Sequence, residues 1–318
     1  MLLLSLAIFV GLVLLVFSAD RFVSSSVALA RNFGMSPLWI GMTIIAFGTS
    51  APEMVVSATA AFSGASSLAV GNVIGSNIAN IGLVLGITTL FATLPIQKTL
   101  IKKELPLLVF ATIVSSLLMI NNFLSQTDGL ILIGLLCLFL FFLSRNNKET
   151  KNLIDEVTET PVISKWRAFT IVIISLLLLL LSAKLLVWGA TGVARSLGVS
   201  ELVIGLTIVA IGTSLPELAT TAASAMRGHY DMAIGNIIGS NLFNLLAVLP
   251  IPALISPSSL EPSVFRVDSL VMVVFTIALY IASFIISKKK KGMGKYFGLC
   301  LIASYSGYLY FLYLSAIH

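Results

Sequence analysis

Two short strings hold the residues whose types and spacing could do chemistry: GTSAPE at 48–53 and GTSLPE at 212–217. Each sets one carboxylate, Glu53 and Glu217, inside an otherwise apolar run of helical length. An ionisable side chain costs several kcal/mol in such a setting, so it marks an ion or substrate path. Thr49 and Ser50 lie four and three residues before Glu53, and Thr213 and Ser214 stand likewise before Glu217, so hydroxyls and carboxylate share a helix face. Pro52 and Pro216 lack an amide hydrogen and clash with the carbonyl four residues back. A helix break is therefore expected at each, freeing the carbonyls near Ala46, Phe47 and Gly48 and near Ala210, Ile211 and Gly212. Carboxylate, hydroxyl and carbonyl oxygens form the ligand set that suits sodium or calcium, and neither histidine falls in these segments to suggest zinc or copper.

A second pair, GNVIGSNIAN at 71–80 and GNIIGSNLFN at 235–244, supplies further oxygens. Ser76 and Asn80, like Ser240 and Asn244, stand at i, i+4 on one face. Gly71, Gly75, Gly235 and Gly239 have the spacing that lets another helix approach closely, and packing is the role assigned to them. Asn72, Asn77, Asn236 and Asn241 can tether the broken backbones. Any single serine, threonine or asparagine in a membrane helix more often bonds a neighbouring backbone than an ion, and a glutamate pair can be purely structural. Duplication beside a broken helix argues for the ion path. Asp20 and Lys184, at equivalent positions, read as snorkelling residues, and His229 and Asp231 as ordinary loop residues.

The elements that must position these groups follow from composition. Among 318 residues 58% are hydrophobic and only 10% charged, too little polar surface to enclose a water-soluble globule. Repeated apolar runs of helical length, in place of weakly alternating ten-residue strands, give an all-α polytopic membrane protein. Ten transmembrane helices are expected, near 2–30, 37–62, 68–92, 104–121, 128–144, 167–194, 201–226, 232–254, 267–287 and 295–315. The opening lacks a basic segment before its apolar run, so it reads as a retained helix and not as a cleaved signal. Cys137 and Cys300, each in an apolar run, read as packing residues and give neither a disulfide framework nor a thiolate metal site. The formal charge of +6 sits in short loops, as membrane orientation signals do, and excludes nothing so much as nucleic acid as the partner.

The chain is duplicated. An offset of 164 aligns Glu53 with Glu217, and 29 of the 63 positions from 18 to 80 are identical to their partners at 182–244 without a gap. The domain expectation is a first five-helix repeat at 1–143, a cytoplasmic linker at 144–166 and a second five-helix repeat at 167–318. Five helices per unit is odd, so the second repeat must enter the membrane upside down. Equivalent loops carry opposite basic bias, as that inversion requires: NNFLSQTD at 121–128 has no basic residue and KKKKGMGK at 288–295 has five. With the N-terminus outside, fifteen basic residues fall on the cytoplasmic side (Arg31, Lys98, Lys102, Lys103, Arg145, Lys148, Lys151, Lys165, Arg167, Arg227, Lys288, Lys289, Lys290, Lys291 and Lys295). Two, Arg195 and Arg266, fall outside.

At these paired motifs the chain resembles the cation/calcium antiporter superfamily, in its prokaryotic sodium/calcium exchanger branch, across the whole architecture. The resemblance implies a secondary active antiporter that exchanges sodium for calcium by alternating access at a midplane site. It implies no enzyme activity and no cofactor, and the transported ions are calcium and sodium. It places calcium at Thr49, Glu53, Thr213 and Glu217. Sodium would be held by Ala46, Ser50, Glu53, Ser76, Asn80, Ala210, Thr213, Ser214, Glu217, Ser240 and Asn244. The long first and sixth helices would slide. Many members carry an acid where this chain has Asn80 or Asn244, which argues against potassium coupling. A calcium/proton antiporter is the alternative, disfavoured because its relatives usually show a GNxxE-type motif in place of GTSxPE. A cation channel would usually be built from symmetric subunits, and an intramembrane hydrolase would need a His or Lys base near its serines. The partners expected are the lipid bilayer and inorganic cations, with a monomeric chain in the cytoplasmic membrane of a bacterium or archaeon.

Overall fold

The computed structural model describes residues 1–146, 163–198, 204, 208, 210–260, 264–289 and 291–317. Within them the chain is helical apart from four two-residue strands. In order come α1 (Leu2–Phe33), α2 (Pro37–Thr49), α3 (Ala51–Phe62), α4 (Ser66–Phe91) and β1 (Leu94–Pro95). Next are α5 (Lys98–Lys102), α6 (Glu104–Leu118), β2 (Phe123–Leu124) and α7 (Gln126–Asn146). Then follow α8 (Lys165–Ser196), α9 (Ala210–Thr213), α10 (Leu215–Met226) and α11 (Tyr230–Ile255). The last elements are β3 (Ser258–Ser259), α12 (Val267–Lys288), β4 (Gly292–Met293) and α13 (Lys295–Ile317). Among the described residues seven helices are long and apolar enough to cross a membrane, or eight if the bent pair α2–α3 is one span.

Many large apolar side chains point outward, among them Leu2, Phe9, Phe62, Phe110, Leu130, Leu181 and Val274. A water-soluble surface does not carry such a band on nearly every helix; a lipid-facing one does. The free cysteines belong to that outer surface: Cys137 and Cys300 are exposed, so the packing role expected of them is corrected.

α1 and α8 lie antiparallel. Gly11 abuts the backbone of Leu186, Gly189 abuts Leu4, and the far ends meet where Asn32 Nδ2 donates to the Ile163 carbonyl at 3.0 Å. These two helices anchor a smaller apolar cluster containing Leu15, Phe22, Val172 and Leu179. The other helices share a larger one around Ile74, Leu108, Leu246 and Leu279. At its centre stand α4 and α11, with 78% and 83% of their apolar windows buried, against 28% for α1 and for α8. Two short antiparallel ladders close the ends, Leu94 with Met293 and Pro95 with Gly292, then Phe123 with Ser259 and Leu124 with Ser258.

The expected helix boundaries stand within a few residues of those observed, α1 and α8 each running a turn or less further. The linker expected at 144–166 lies mostly outside the described residues, as does the start of the helix expected over 201–226. The snorkelling expected of Asp20 gives way to an ion pair: Arg227 Nε donates to Asp20 Oδ1 at 2.6 Å, joining α1 to the end of α10. Lys184 is exposed. His229 is more than a loop residue. It stands at the N-cap of α11, where burial and the Arg227 charge push its imidazole below the usual histidine range.

Candidate functional site: a buried oxygen cluster

The two breaks take one form. Ser50 sits at φ −78°, ψ 2° between α2 and α3, and Ser214 at φ −87°, ψ 4° between α9 and α10. Both lie in the sparsely populated bridge region, where active-site residues often sit. The α2–α3 axes bend by 42°. Pro52 and Pro216 then fall in the first turn of the following helix, where a missing N–H costs nothing because that position has no intrahelical acceptor. The break thus precedes the proline by two residues, and fewer carbonyls are freed than expected. The Ala46 carbonyl accepts from the Ser50 N–H at 3.0 Å and lies 3.3 Å from the Thr49 hydroxyl; the Ile211 carbonyl accepts from the Ser214 N–H at 3.1 Å.

Glu53 and Glu217 occupy the first turns of α3 and α10, where the helix dipole favours an anion. With Ser50 and Ser214 they spell S-x-x-E, the capping-box signature. Neither serine makes a cap hydrogen bond, and both hydroxyls remain free for another partner. Both glutamates are 1% exposed. Asn72 and Asn236 act as tethers: their Nδ2 atoms lie 3.4 Å from the Glu53 and Glu217 carbonyls, and they bond Ser57 at 3.1 Å and Thr221 at 2.8 Å.

The two halves interlock here. Thr49 Oγ1, from the first, lies 3.4 Å from both Asn236 Oδ1 and Ser240 Oγ of the second. Asn80 Nδ2 donates to Asn241 Oδ1 at 3.0 Å. Ser76 Oγ reaches Glu53 Oε1 at 3.4 Å. Close approach of the backbones makes this possible. A Cβ at Gly239 would stand 2.6 Å from Met42 Cα and 2.7 Å from Ala46 Cβ, and one at Gly235 would stand 2.7 Å from the Leu38 carbonyl. No described atom lies within 4 Å of a Cβ built at Gly71 or Gly75, whose counterpart partner segment, 202–210, is almost wholly undescribed.

Of the residues expected in the site, Ala46, Thr49, Ser50, Glu53, Ser76, Asn80, Ser214, Glu217, Ser240 and Asn244 are buried. Thr213 is half-buried, and Ala210 opens α9. Buried polar atoms with no hydrogen-bond partner gather among them: Glu53 Oε2, both carboxylate oxygens of Glu217, the Ser50 and Ser214 hydroxyls, Asn80 Oδ1 and the whole Asn244 amide. Buried polar atoms in folded proteins are nearly always paired, so this concentration of oxygens wants a cation. The described residues hold no cluster of three or more His, Cys, Asp or Glu, which fits a hard ion held by two carboxylates and neutral oxygens and not a transition metal.

Residues 3–145 and 167–314 match the model of the sodium/calcium exchanger protein family. This chain belongs to the sodium/calcium exchanger family. Among its relatives, CaxA of Alkalimonas amylolytica is 42% identical over 99% of this chain and 100% of its own. The inner membrane protein YrbG of Escherichia coli is 39% identical over 87% of each. The solved sodium-calcium exchanger NCX_Mj, soaked with sodium and strontium, superposes with a TM-score of 0.81 at 33% identity over 96% of both chains. Family membership makes the protein a multi-pass membrane transporter of the cation/calcium antiporter class and not an enzyme.

Sequence reasoning missed one feature of this exchanger's site. Asn80 and Asn244 each open a π-helical turn, Asn80–Leu85 and Asn244–Val248, a widening of the helix frequent at functional sites and present also at Gly41–Ile45 and Val264–Ser269. No residue pattern announces it. The only available signal was polarity, an asparagine in mid-membrane at the same place in both motifs.

Proposed function

We propose that this exchanger moves calcium against sodium by alternating access, with ten transmembrane helices arranged as two inverted repeats, 1–143 and 167–318, joined by a cytoplasmic linker at 144–166. The observation that carries the reading is the set of partnerless oxygens contributed by both halves at one buried place. Calcium would be held by Thr49, Glu53, Thr213 and Glu217. Sodium would be held by the carbonyls of Ala46 and Ala210 with Ser50, Glu53, Ser76, Asn80, Thr213, Ser214, Glu217, Ser240 and Asn244. Two carboxylates match one calcium, or two sodium ions, in charge. The separate apolar cluster of α1 and α8, together with their antiparallel packing, supports a pair of helices that slides against the remaining bundle.

Labelled calcium uptake into proteoliposomes tests the coupling. Uptake is expected to follow an opposing sodium gradient and to ignore a pH gradient; the reverse pattern would make the protein a calcium/proton antiporter. A third sodium per calcium leaves the loaded carrier positive, and moving one charge across the membrane is worth about 2.3 kcal/mol per 100 mV. The flux should therefore respond to voltage set by valinomycin, and remain indifferent to potassium at fixed voltage. Voltage independence would mean two sodium ions per calcium. Orientation is tested with single cysteines in a background lacking Cys137 and Cys300. One at exposed Ser63 should label from outside and one at Asn147 from the cytoplasm; labelling of both from one side would overturn the inversion.

A further inference from the structure

The end of α4 and the turn leading into α13 enclose an open cleft of about 610 Å³. Its lining includes Lys291 and Lys295, the Thr89 and Thr93 side chains, and the aromatic rings of Phe91 and Tyr296; none of the lining residues is acidic. Phe91 and Tyr296 are 69% and 74% exposed, so the cleft presents an apolar outer rim beside a cationic interior. Its walls are fixed by the backbone. The ladder of Leu94–Pro95 with Gly292–Met293 runs beside it. Gly292 lies so close to that ladder that a Cβ would stand 2.6 Å from Thr93 Cγ2 and 2.8 Å from the Leu94 carbonyl. Lys295, Tyr296 and Phe297 form the first turn of a 23-residue helix, whose leading N–H groups have no intrahelical acceptor and whose dipole adds to the positive field.

The equivalent place at the opposite end of the molecule is built from a matching ladder, but its chemistry differs. The ladder registers put Asn122 for Lys291, Gln126 for Lys295 and Asp128 for Phe297, an offset of 169 on this side, while 164 still puts Ala253 for Thr89 and Pro257 for Thr93. Gly129 packs there onto Ala253 and Leu254, at 2.9 and 3.2 Å from a built Cβ. Asp128 is occupied locally, accepting from the Ser125 N–H at 2.8 Å and its hydroxyl at 2.6 Å. One end of the fold thus offers an open basic cleft, while the other has neutral residues in place of both lysines and an acid in place of Phe297.

We propose that the cleft between α4 and α13 binds an anionic phospholipid, its headgroup phosphate between Lys291 and Lys295 and an acyl chain along Leu90, Phe91 and Tyr296. A soluble anion would satisfy the lysines but leave the apolar rim uncovered, whereas a zwitterionic lipid would satisfy the rim and bring no net charge. A basic residue at the membrane surface contributes about fivefold to the affinity for anionic lipid. Three further lysines precede in sequence at 288–290, but Lys288 lies over the Phe284 ring at 4.4 Å and does not line the cleft. The leaflet concerned rests on the orientation proposed above; the binding itself does not.

The test is native mass spectrometry of the full-length protein in neutral detergent with equimolar phosphatidylglycerol and phosphatidylcholine. Phosphatidylglycerol should be retained about 25-fold over phosphatidylcholine, about fivefold for each of the two lysines. Lys291→Ser with Lys295→Ser should bring the ratio close to one, while Lys288→Ser with Lys289→Ser, outside the cleft, should leave it within twofold. Equal retention by the cleft variant, or equal loss in both variants, overturns the site in favour of diffuse surface charge. Displacement of the lipid by millimolar inorganic phosphate overturns the lipid in favour of a free anion. Thermal melting checks that the variants are folded, and the single lysine variants, each expected to lose about fivefold, carry the test should the double one unfold.

Discussion

The two halves of this exchanger are nearly the same where they hold their motifs and unequal in what those motifs touch. Ser76 reaches Glu53 at 3.4 Å, while its counterpart Ser240 turns to Thr49 and Asn236. Asn80 donates to Asn241, yet the mirrored bond from Asn244 to Asn77 is not made and both polar atoms of the Asn244 amide stand unpaired. Thr49 is buried and Thr213 half-buried. Identical residues with different partners mean that the halves hold two conformations of one unit. On the alternating-access reading that difference is the mechanism: exchanging the two conformations between the halves would turn the site to the other side of the membrane without any new contact type.

The largest expected effect breaks the comparison at its centre. Glu53→Gln and Glu217→Gln should each lower calcium exchange about a hundredfold or more, since removing one partner of a buried charge set costs about 3–5 kcal/mol. Near wild-type flux from either variant would make that carboxylate structural. In ion-free thermal melting each substitution should stabilise the protein, because it removes one of two buried charges. A lowered melting temperature from either variant would make that carboxylate a structural acceptor.

Next in size is the contact that draws the halves together. Gly239→Ala places a methyl 2.6 Å from Met42 Cα, and because backbone cannot yield as a side chain end can, a loss of about 1–3 kcal/mol is expected. Melting unchanged by this variant would mean that α2 and α11 separate freely.

The site was legible in the sequence because its signals are discrete: a carboxylate, a proline and hydroxyls repeated at one offset in an apolar background leave few other readings. Helix positions were legible for the same reason, apolar length being the membrane's own requirement. What was not legible depends on three-dimensional neighbours. Asp20 has Arg227 for a partner 207 residues away, and nothing near either residue in sequence says so. The freed carbonyls were miscounted because a proline fixes where a helix can restart, in its first turn, more firmly than where the previous one must stop. The π-helical turns at Asn80 and Asn244 have no composition of their own.

The Asp20–Arg227 pair gives a smaller test. Its counterparts are Lys184 and Ser63, so a link between α1 and the bundle exists at one end only. Both side chains are about 40% exposed, at 42% and 39%, which limits the pair to about 0.2–1 kcal/mol. Asp20→Asn should therefore shift the ratio of inward- to outward-open protein by at most about fivefold, measured by cysteine accessibility on the two sides. The swap Asp20→Arg with Arg227→Asp should restore it. A shift that the swap does not restore would assign the effect to Asp20 alone.

The smallest effect lies two residues on. His229 stands at the N-cap of α11, and its counterpart is Ala65, so only one of the two equivalent turns can titrate near neutral pH. Burial first, then the Arg227 charge, hold its imidazole below the ordinary histidine value of 6.5. A histidine depressed in the folded state binds fewer protons than in the unfolded chain. Its contribution is fully present above 6.5 and is lost as pH falls from there through the folded value. His229→Asn keeps a polar cap and removes the titration, so the wild type should lose more melting temperature than the variant between pH 7.5 and pH 5, and the two curves should run parallel above pH 7.5. Because Arg227 both repels the imidazolium and binds Asp20, the same titration should weaken when Arg227→Gln removes the charge. Curves that stay parallel throughout would mean that this turn does not sense pH and that the two equivalent turns differ in their ion pair alone.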